Sequence, residues 1–362
     1  MAGDGDTKTT FIDKSDMELQ LRGSFGMRLP EGGKATSGFR MDNFRMNIEG
    51  TAGKDIHYRF RQNFASSFEH NTLENLVESI NYAYITYKPF NTVSFTAGKN
   101  VFALGGHEFW AAPVNVIEFS DFGSSLSAYQ LGVSVNWDIT ENQELILQMS
   151  NINGVGDDKR YFGGLPEGVS SSGAPFLYTL NWNGAFGEDG TLELRYSASY
   201  GQQAKGHDIS ILTLGNSYKR RTWGAYLDLA YSRQGLDASG LISEYAKFGD
   251  ARPRTLRNTE YFSAVAYVHF FVSPSFQAFL KGVGETGGLY KDDGNVSSGL
   301  YRHNWNAQAC LQYMPTKDSD FRIFAHYSYY NRQATSLGRE IGLTAVSRHA
   351  ITAGIIYIMR IF

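Results

Sequence analysis

The sequence predicts an all-β chain: a transmembrane antiparallel β-barrel of about 16 strands with short periplasmic turns, long outer loops and one inward-folded constriction loop. Three observations carry this. Apolar and polar residues alternate with period two along segments about twice the length of an ordinary strand. The connections between those segments alternate between short and long. No stretch approaches the roughly 18 apolar residues of a membrane helix. Composition agrees: of 362 residues, 14% are aromatic and 19% charged, which excludes disorder, coiled coils and charged tails. A net charge of −3 leaves no footprint for nucleic acid, so no nucleic-acid partner is expected.

Met1–Asp16 is polar and reads as an extension ahead of a barrel spanning 17–362; no positively charged region followed by an apolar run opens the chain. In the first strand Met17, Leu19, Leu21, Gly23, Phe25, Met27 and Leu29 share one face, with Glu18, Gln20, Arg22, Ser24, Gly26 and Arg28 on the other. The second sets Phe44, Met46 and Ile48 against Arg45, Asn47 and Glu49, and the third sets Ile56, Tyr58 and Phe60 against His57, Arg59 and Arg61. Further strands are expected at 79–88, 92–99, 126–137, 143–151, 175–186, 191–200, 210–219, 223–234, 259–272, 276–286, 300–313, 321–330 and 347–362.

Turn chemistry marks the short connections, as in Lys88-Pro89-Phe90-Asn91 and Ser273-Pro274-Ser275, whereas 100–125, 152–174, 234–258 and 286–299 are long. Closure follows from the solvent, because an open sheet edge would leave backbone groups unpaired in hydrocarbon. Tyr82, Tyr84, Tyr87, Tyr327, Tyr329 and Tyr330 cluster near strand ends, where aromatic girdles meet the two lipid interfaces.

A barrel of this size leaves an aqueous channel. The connection 100–125 is too apolar for water, with Phe102, Leu104, Phe109, Trp110, Val114 and Phe122, so it is expected to fold into the lumen as a constriction. Arginine would cost about 2–4 kcal/mol at the lipid midplane. Arg22, Arg28, Arg45, Arg59 and Arg61, together with His57, must therefore line a wet, basic wall. Further round, Arg195 and Arg322 face inward, and Glu144, Glu193, Asp228, Lys281, Glu285 and Arg302 bring the charge close to balance. The loop segment adds Lys99, His107, Glu108, Glu118 and Asp121. A basic wall facing an acidic loop implies a transverse field and a mild preference for small anionic or hydrophilic solutes. Some of these arginines are equally expected to pair with neighbouring acids and hold wall and loop together.

Cys310 is the sole cysteine, so no internal disulfide forms, and the eight His lack ligand spacing, so no metal or cofactor is expected. Ser263 and His269 stand six apart on one strand, about 20 Å by strand rise, too far for a catalytic pair. His303 and His349 lie on apolar faces away from any serine. A lipid-modifying barrel enzyme and a closed structural barrel remain the alternatives of another class.

The run Phe44-Arg45-Met46-Asn47-Ile48-Glu49-Gly50, the strand His57-Tyr58-Arg59-Phe60-Arg61, then Ala83-Tyr84-Ile85-Thr86-Tyr87-Lys88, Gly98-Lys99, Gly105-Gly106-His107-Glu108 and Phe119-Ser120-Asp121-Phe122 resemble the trimeric outer-membrane porins. Within them the chain is similar to the group named for phosphate-selective porins O and P, which has many members in Bacteroidetes-type bacteria. The resemblance implies a homotrimer, with the first and last strands and 71–79 near the interface, and a phosphate- or other anion-specific channel as the alternative to a general one. The last strand, ending in Phe362, resembles the signal read by the outer-membrane barrel insertion machinery; Arg360 departs from that pattern.

Overall fold

The computed structural model describes residues 14–65, 79–126, 128–152, 161, 164–246 and 254–361. Sixteen strands make one sheet: β1 (Lys14–Pro30), β2 (Thr36–Ala52), β3 (Ile56–Asn63), β4 (Ile80–Tyr87), β5 (Val93–Val101), β6 (Tyr129–Thr140), β7 (Gln143–Asn151), β8 (Phe176–Phe186), β9 (Leu192–Ala204), β10 (His207–Lys219), β11 (Trp223–Leu236), β12 (Arg257–Ser273), β13 (Phe276–Leu289), β14 (Gly299–Tyr313), β15 (Asp320–Ala334) and β16 (Val346–Arg360). Each pairs antiparallel with its neighbours in sequence, and β1 also pairs with β16, so the sheet closes.

Alternation fixes the two faces. On β6 Leu131, Val133, Val135 and Trp137 point outward and are exposed, whereas Gln130 and Ser134, of the opposite parity, are buried inside. The inner wall is polar and internally bonded, as in the hydroxyl pairs Thr179–Ser199 at 2.9 Å and Ser197–Thr213 at 2.7 Å. Such pairs satisfy groups that water cannot reach.

β2 is longer than its sequence pattern suggests. Its pairing with β1 shifts register between Arg22 and Gly23, where Asn43 and Met41 are the successive partners. Asp42 is therefore the extra residue of a bulge. Phe39 and Met41 are exposed before it, and Phe44 and Met46 resume the outward face after it. The outward residues thus change from odd to even numbers, which breaks the period-two signal. The Asp42 carboxylate accepts from Ser24 Oγ at 2.5 Å and lies 3.5 Å from Arg40 Nε.

Connections at one end, such as 88–92, 141–142 and 274–275, are short, and the long ones lie at the other end, although 31–35 and 205–206 there are also short. The tyrosines divide. Tyr87, Tyr327 and Tyr329 face outward, with Tyr327 Oη 2.8 Å from His349 Nδ1 and Tyr329 packed 4.8 Å from Trp305. Tyr82, Tyr84 and Tyr330 instead face the lumen. Tyr82 lies beneath the Arg61 guanidinium, Tyr84 packs edge-on against Tyr82, and Tyr330 Oη donates to Asp121. Expecting all six in the girdles was a misreading of strand parity. Phe362 and the segment 66–78 lie outside the described residues.

Candidate functional site

The connection from β5 to β6 enters the barrel and is fastened to wall after wall. Near its start, Ala103 N–H donates to Gln148 Oε1 on β7 at 2.8 Å. Gly105 N–H reaches Ser197 Oγ and Thr213 Oγ1 on β9 and β10 at 2.9 and 2.7 Å. Asp228 Oδ2 on β11 accepts from the backbone of both His107 and Glu108 at 2.7 Å. The loop closes against these strands because glycine stands at both surfaces: a Cβ on Gly215 would lie 2.5 Å from Gly106 Cα, and Gly106 has φ of +92°.

Carboxylates do the rest of the fastening. Glu108 forms an ion pair of 2.5 Å with Lys281 of β13 and accepts from Ser120 N–H and Oγ at 3.0 and 2.5 Å. Ser120 caps a short helix, α1 (Asp121–Ser125), whose first two N–H groups donate to Glu285 of β13 at 3.0 and 2.8 Å. This satisfies helix-end donors that would otherwise be orphaned. Asp121 pairs with Arg302 of β14. Glu118 pairs with Arg348 of β16 at 3.1 Å, and its carbonyl accepts from Lys281 Nζ at 2.6 Å. At the far side Arg22 of β1 donates through Nη1 to the carbonyls of Pro113, Val114 and Val116 at 3.2, 3.0 and 2.7 Å, while Arg322 Nη2 reaches Asn115 Oδ1 at 2.6 Å. The apolar residues of the loop find lumen partners too: Val114 packs with Phe279, Cys310, Phe324 and Ile356, and Phe102, Leu104 and Phe122 with Ile209 and Ile211.

His107 sits on this loop with its imidazole pKa lowered to about 4, chiefly by burial and then by the charge of Arg195. The docked loop therefore refuses a proton that a free loop, with His near its ordinary value of about 6.5, would bind. Docking is fully favoured above about 6.5 and weakens as pH falls toward 4. Limited proteolysis of the loop should accelerate across that window in the native chain and lose this pH dependence in His107→Gln.

The expected acidic loop takes a different form. Glu108, Glu118 and Asp121 are each met by a cation, on β13, β16 and β14, instead of standing across open water from β1–β3. The sequence singles out none of these pairings, and Arg348 was missed altogether; its inward parity on β16 was the available signal. The basic wall itself is assembled. Arg59 pairs with Glu49 at 3.2 Å and donates to Asn47 Oδ1 at 2.8 Å. Arg61 donates to Tyr129 Oη at 2.5 Å and lies 4.1 Å over the ring of Tyr82. Arg45 Nε and Nη1 and Arg61 Nε are buried with no hydrogen-bond partner. Arg28 is exposed near the β1–β2 connection, and His57 is half-buried at the opposite end of β3.

Lys99 is a correction. It belongs to β5 and pairs across the sheet with Ala83 and Leu131, both on the outward face, so it is not part of the solute path. Paired residues in an antiparallel ladder share a face, which settles its direction. Ser263 and His269 face inward as well: Ser263 Oγ donates to Glu285 at 3.0 Å, and His269 packs beside Tyr267. Neither is presented to lipid.

A closed sixteen-stranded barrel with a polar, loop-narrowed lumen defines an outer-membrane channel protein. The chain belongs to the family described as phosphate-selective porin O and P, which it matches over residues 16–358. Its fold is similar to that of the outer membrane channel DcaP of Acinetobacter baumannii, at 13% identity and a TM-score of 0.69, covering 99% of this chain and 100% of that one. It is also similar to the anion-selective porin from Comamonas acidovorans, at 10% identity and 0.62, covering 96% and 99%. The in-vitro folded OmpT of Vibrio cholerae in its trimer form matches at 12% identity and 0.56, covering 96% and 99%. A comparison with curated protein sequences gave no match. The protein is integral to the outer membrane and works as a channel.

Proposed function

We propose that this porin passes small hydrophilic solutes and ions by diffusion, with a mild preference for anions. One observation carries the reading: Arg45 and Arg61 keep buried N–H groups with no partner, while all three loop carboxylates are neutralised by wall cations. The uncompensated charge on the β2–β3 wall is positive, and guanidinium holds that charge at every relevant pH. The anion-selective porin among the similar structures is consistent with this. A dedicated phosphate site is the weaker reading, since Lys99 faces outward and His107 is neutral at physiological pH, which leaves the loop without cations to extend a ladder. Sub-micromolar phosphate block would reverse that order.

The test is the reversal potential of single channels in a KCl gradient. The native channel should favour chloride, and Arg45→Ser/Arg61→Ser should bring the potential to zero or beyond. An unchanged potential in the variant would make these arginines structural, and absence of conductance would sink the channel reading. We further propose a homotrimer, supported by the trimer form among its structural relatives, and contact with lipid through outward residues such as Ile351, Ile355 and Met359. Recognition of the last strand by the insertion machinery is part of the same proposal.

A further inference from the structure

Opposite the arginine wall, the lumen carries a feature that anion diffusion does not require. Five rings run in contact from the constriction loop toward the short-turn end. His107 lies 5.9 Å from Tyr226 of β11, and Tyr226 stacks on Tyr267 of β12 at 4.8 Å and 14°. Tyr267 is 5.8 Å from His269, which is 6.2 Å from Phe271. Tyr226 and Tyr267 are register partners, and Tyr267, His269 and Phe271 alternate along β12 on the inward face. A backbone rise of about 3.4 Å per residue carries the rings about 14 Å down one strand.

The row is built into the wall. His269 pairs with Gly224, where a Cβ would lie 2.7 Å from the imidazole Cε1, so glycine leaves room for the ring to lie against the strand. The exposure rises along the row, from half-buried tyrosines to Phe271 at 41%. Such a surface inside a channel meets only water, ions and permeating solutes. Cations flank it: Arg195 and Lys219 act electrostatically on His107, Lys219 on His269, and Arg322 on Tyr267. Arg322 Nε has no hydrogen-bond partner. The neighbouring carboxylates Glu193 and Glu108 are paired with Lys219 and Lys281, and Asp228 Oδ2 accepts from two backbone N–H groups.

We propose that this row is a sliding track for solutes that combine a flat aromatic ring with a carboxylate. The ring stacks successively on Tyr226, Tyr267, His269 and Phe271, and the carboxylate stays beside Arg322 or Arg195. This deepens the anion-channel reading and rests on it for the charged half of the ligand. Aromatic faces attract one another in offset and tilted arrangements at these spacings, and arginine is suited to a planar carboxylate.

Benzoate, cyclohexanecarboxylate and acetate are the probes, added to single channels of the full chain in KCl. Benzoate should interrupt the current at a concentration about tenfold below that needed with acetate, and below that needed with the non-planar ring, as ring stacking of ordinary strength implies. Tyr226→Ala/Tyr267→Ala should remove most of that difference without changing the KCl reversal potential, and its KCl conductance reports that the barrel is intact. Tyr267→Phe keeps the ring and should keep benzoate block within about twofold. Equal block by benzoate and acetate in the native channel, or undiminished benzoate block in the double variant, would overturn the track. A channel without chloride preference whose benzoate block still depends on the two tyrosines would overturn the anion reading and support the track.

Discussion

Lys281→Met should release the constriction loop and widen the channel. Lys281 and Glu108 are 3% and 6% exposed and 2.5 Å apart, so the substitution strands the loop's carboxylate against the wall. It also removes the ammonium that holds the Glu118 carbonyl. Leaving one member of a buried pair uncompensated costs on the order of 3–5 kcal/mol, more than a loop of this length can absorb while staying docked. The strand ladder does not depend on this pair, so the barrel should still form. Two readouts follow: single-channel conductance rises, and protease cleaves the loop in detergent-solubilised protein at a rate the native chain does not show. Lys281→Met/Glu108→Leu removes both charges and should recover much of the resistance, because the pair is coupled. Unchanged cleavage in the single variant would show that the backbone anchors on β9–β11 suffice alone.

The second large effect is expected at Gly215 on β10, three strands from Lys281. Gly215→Val places a branched side chain where Gly106 Cα and N would lie 2.5 and 2.8 Å from its Cβ. Both surfaces are backbone, so neither can turn aside. Overpacking of this kind costs about 1–3 kcal/mol, and relief requires the loop to lift from β10. Lifting it withdraws the His107 and Glu108 N–H groups from Asp228, whose buried carboxylate is then left unmet. Conductance should rise as in Lys281→Met, with one difference. No charge is altered, so the reversal potential should follow the exposed Asp228 toward cations. A native-like potential with raised conductance would mean that Asp228 stays covered.

Much of this architecture was legible in the chain because period two survives wherever one face meets lipid. Each of the expected strands exists, and the loop at 100–125 was recognisable because its apolar residues had nowhere to go but inward. Legibility failed where a single residue changes parity. Asp42 hides half of β2, and Lys99 reads as part of a loop until pairing with Ala83 and Leu131 shows which way it points. The anchors were the least visible part. Lys281, Arg302 and Arg348 meet the carboxylates of Glu108, Asp121 and Glu118, all distant in sequence, and no local pattern encodes a partner at that distance. The aromatic row was hidden for a related reason. Tyr226 and Tyr267 belong to different strands, and only the register between β11 and β12 stacks them.

The spread of the loop's anchors has a consequence for the order of assembly. The loop leaves the sheet after the fifth strand, but its holds come from the seventh strand through the sixteenth, and finally from Arg22 on the first. During synthesis and insertion none of the later partners exists when the loop is made. Bringing together residues so distant carries a loop-closure cost that only a formed sheet can lower. The constriction is therefore expected to be the last part of the channel to be completed, since its Arg22 holds form only once the seam between β1 and β16 is shut. An unfinished barrel is an unnarrowed one. Protection of the loop from protease thus serves as a clock for closure, and it should lag behind the appearance of sheet structure during refolding.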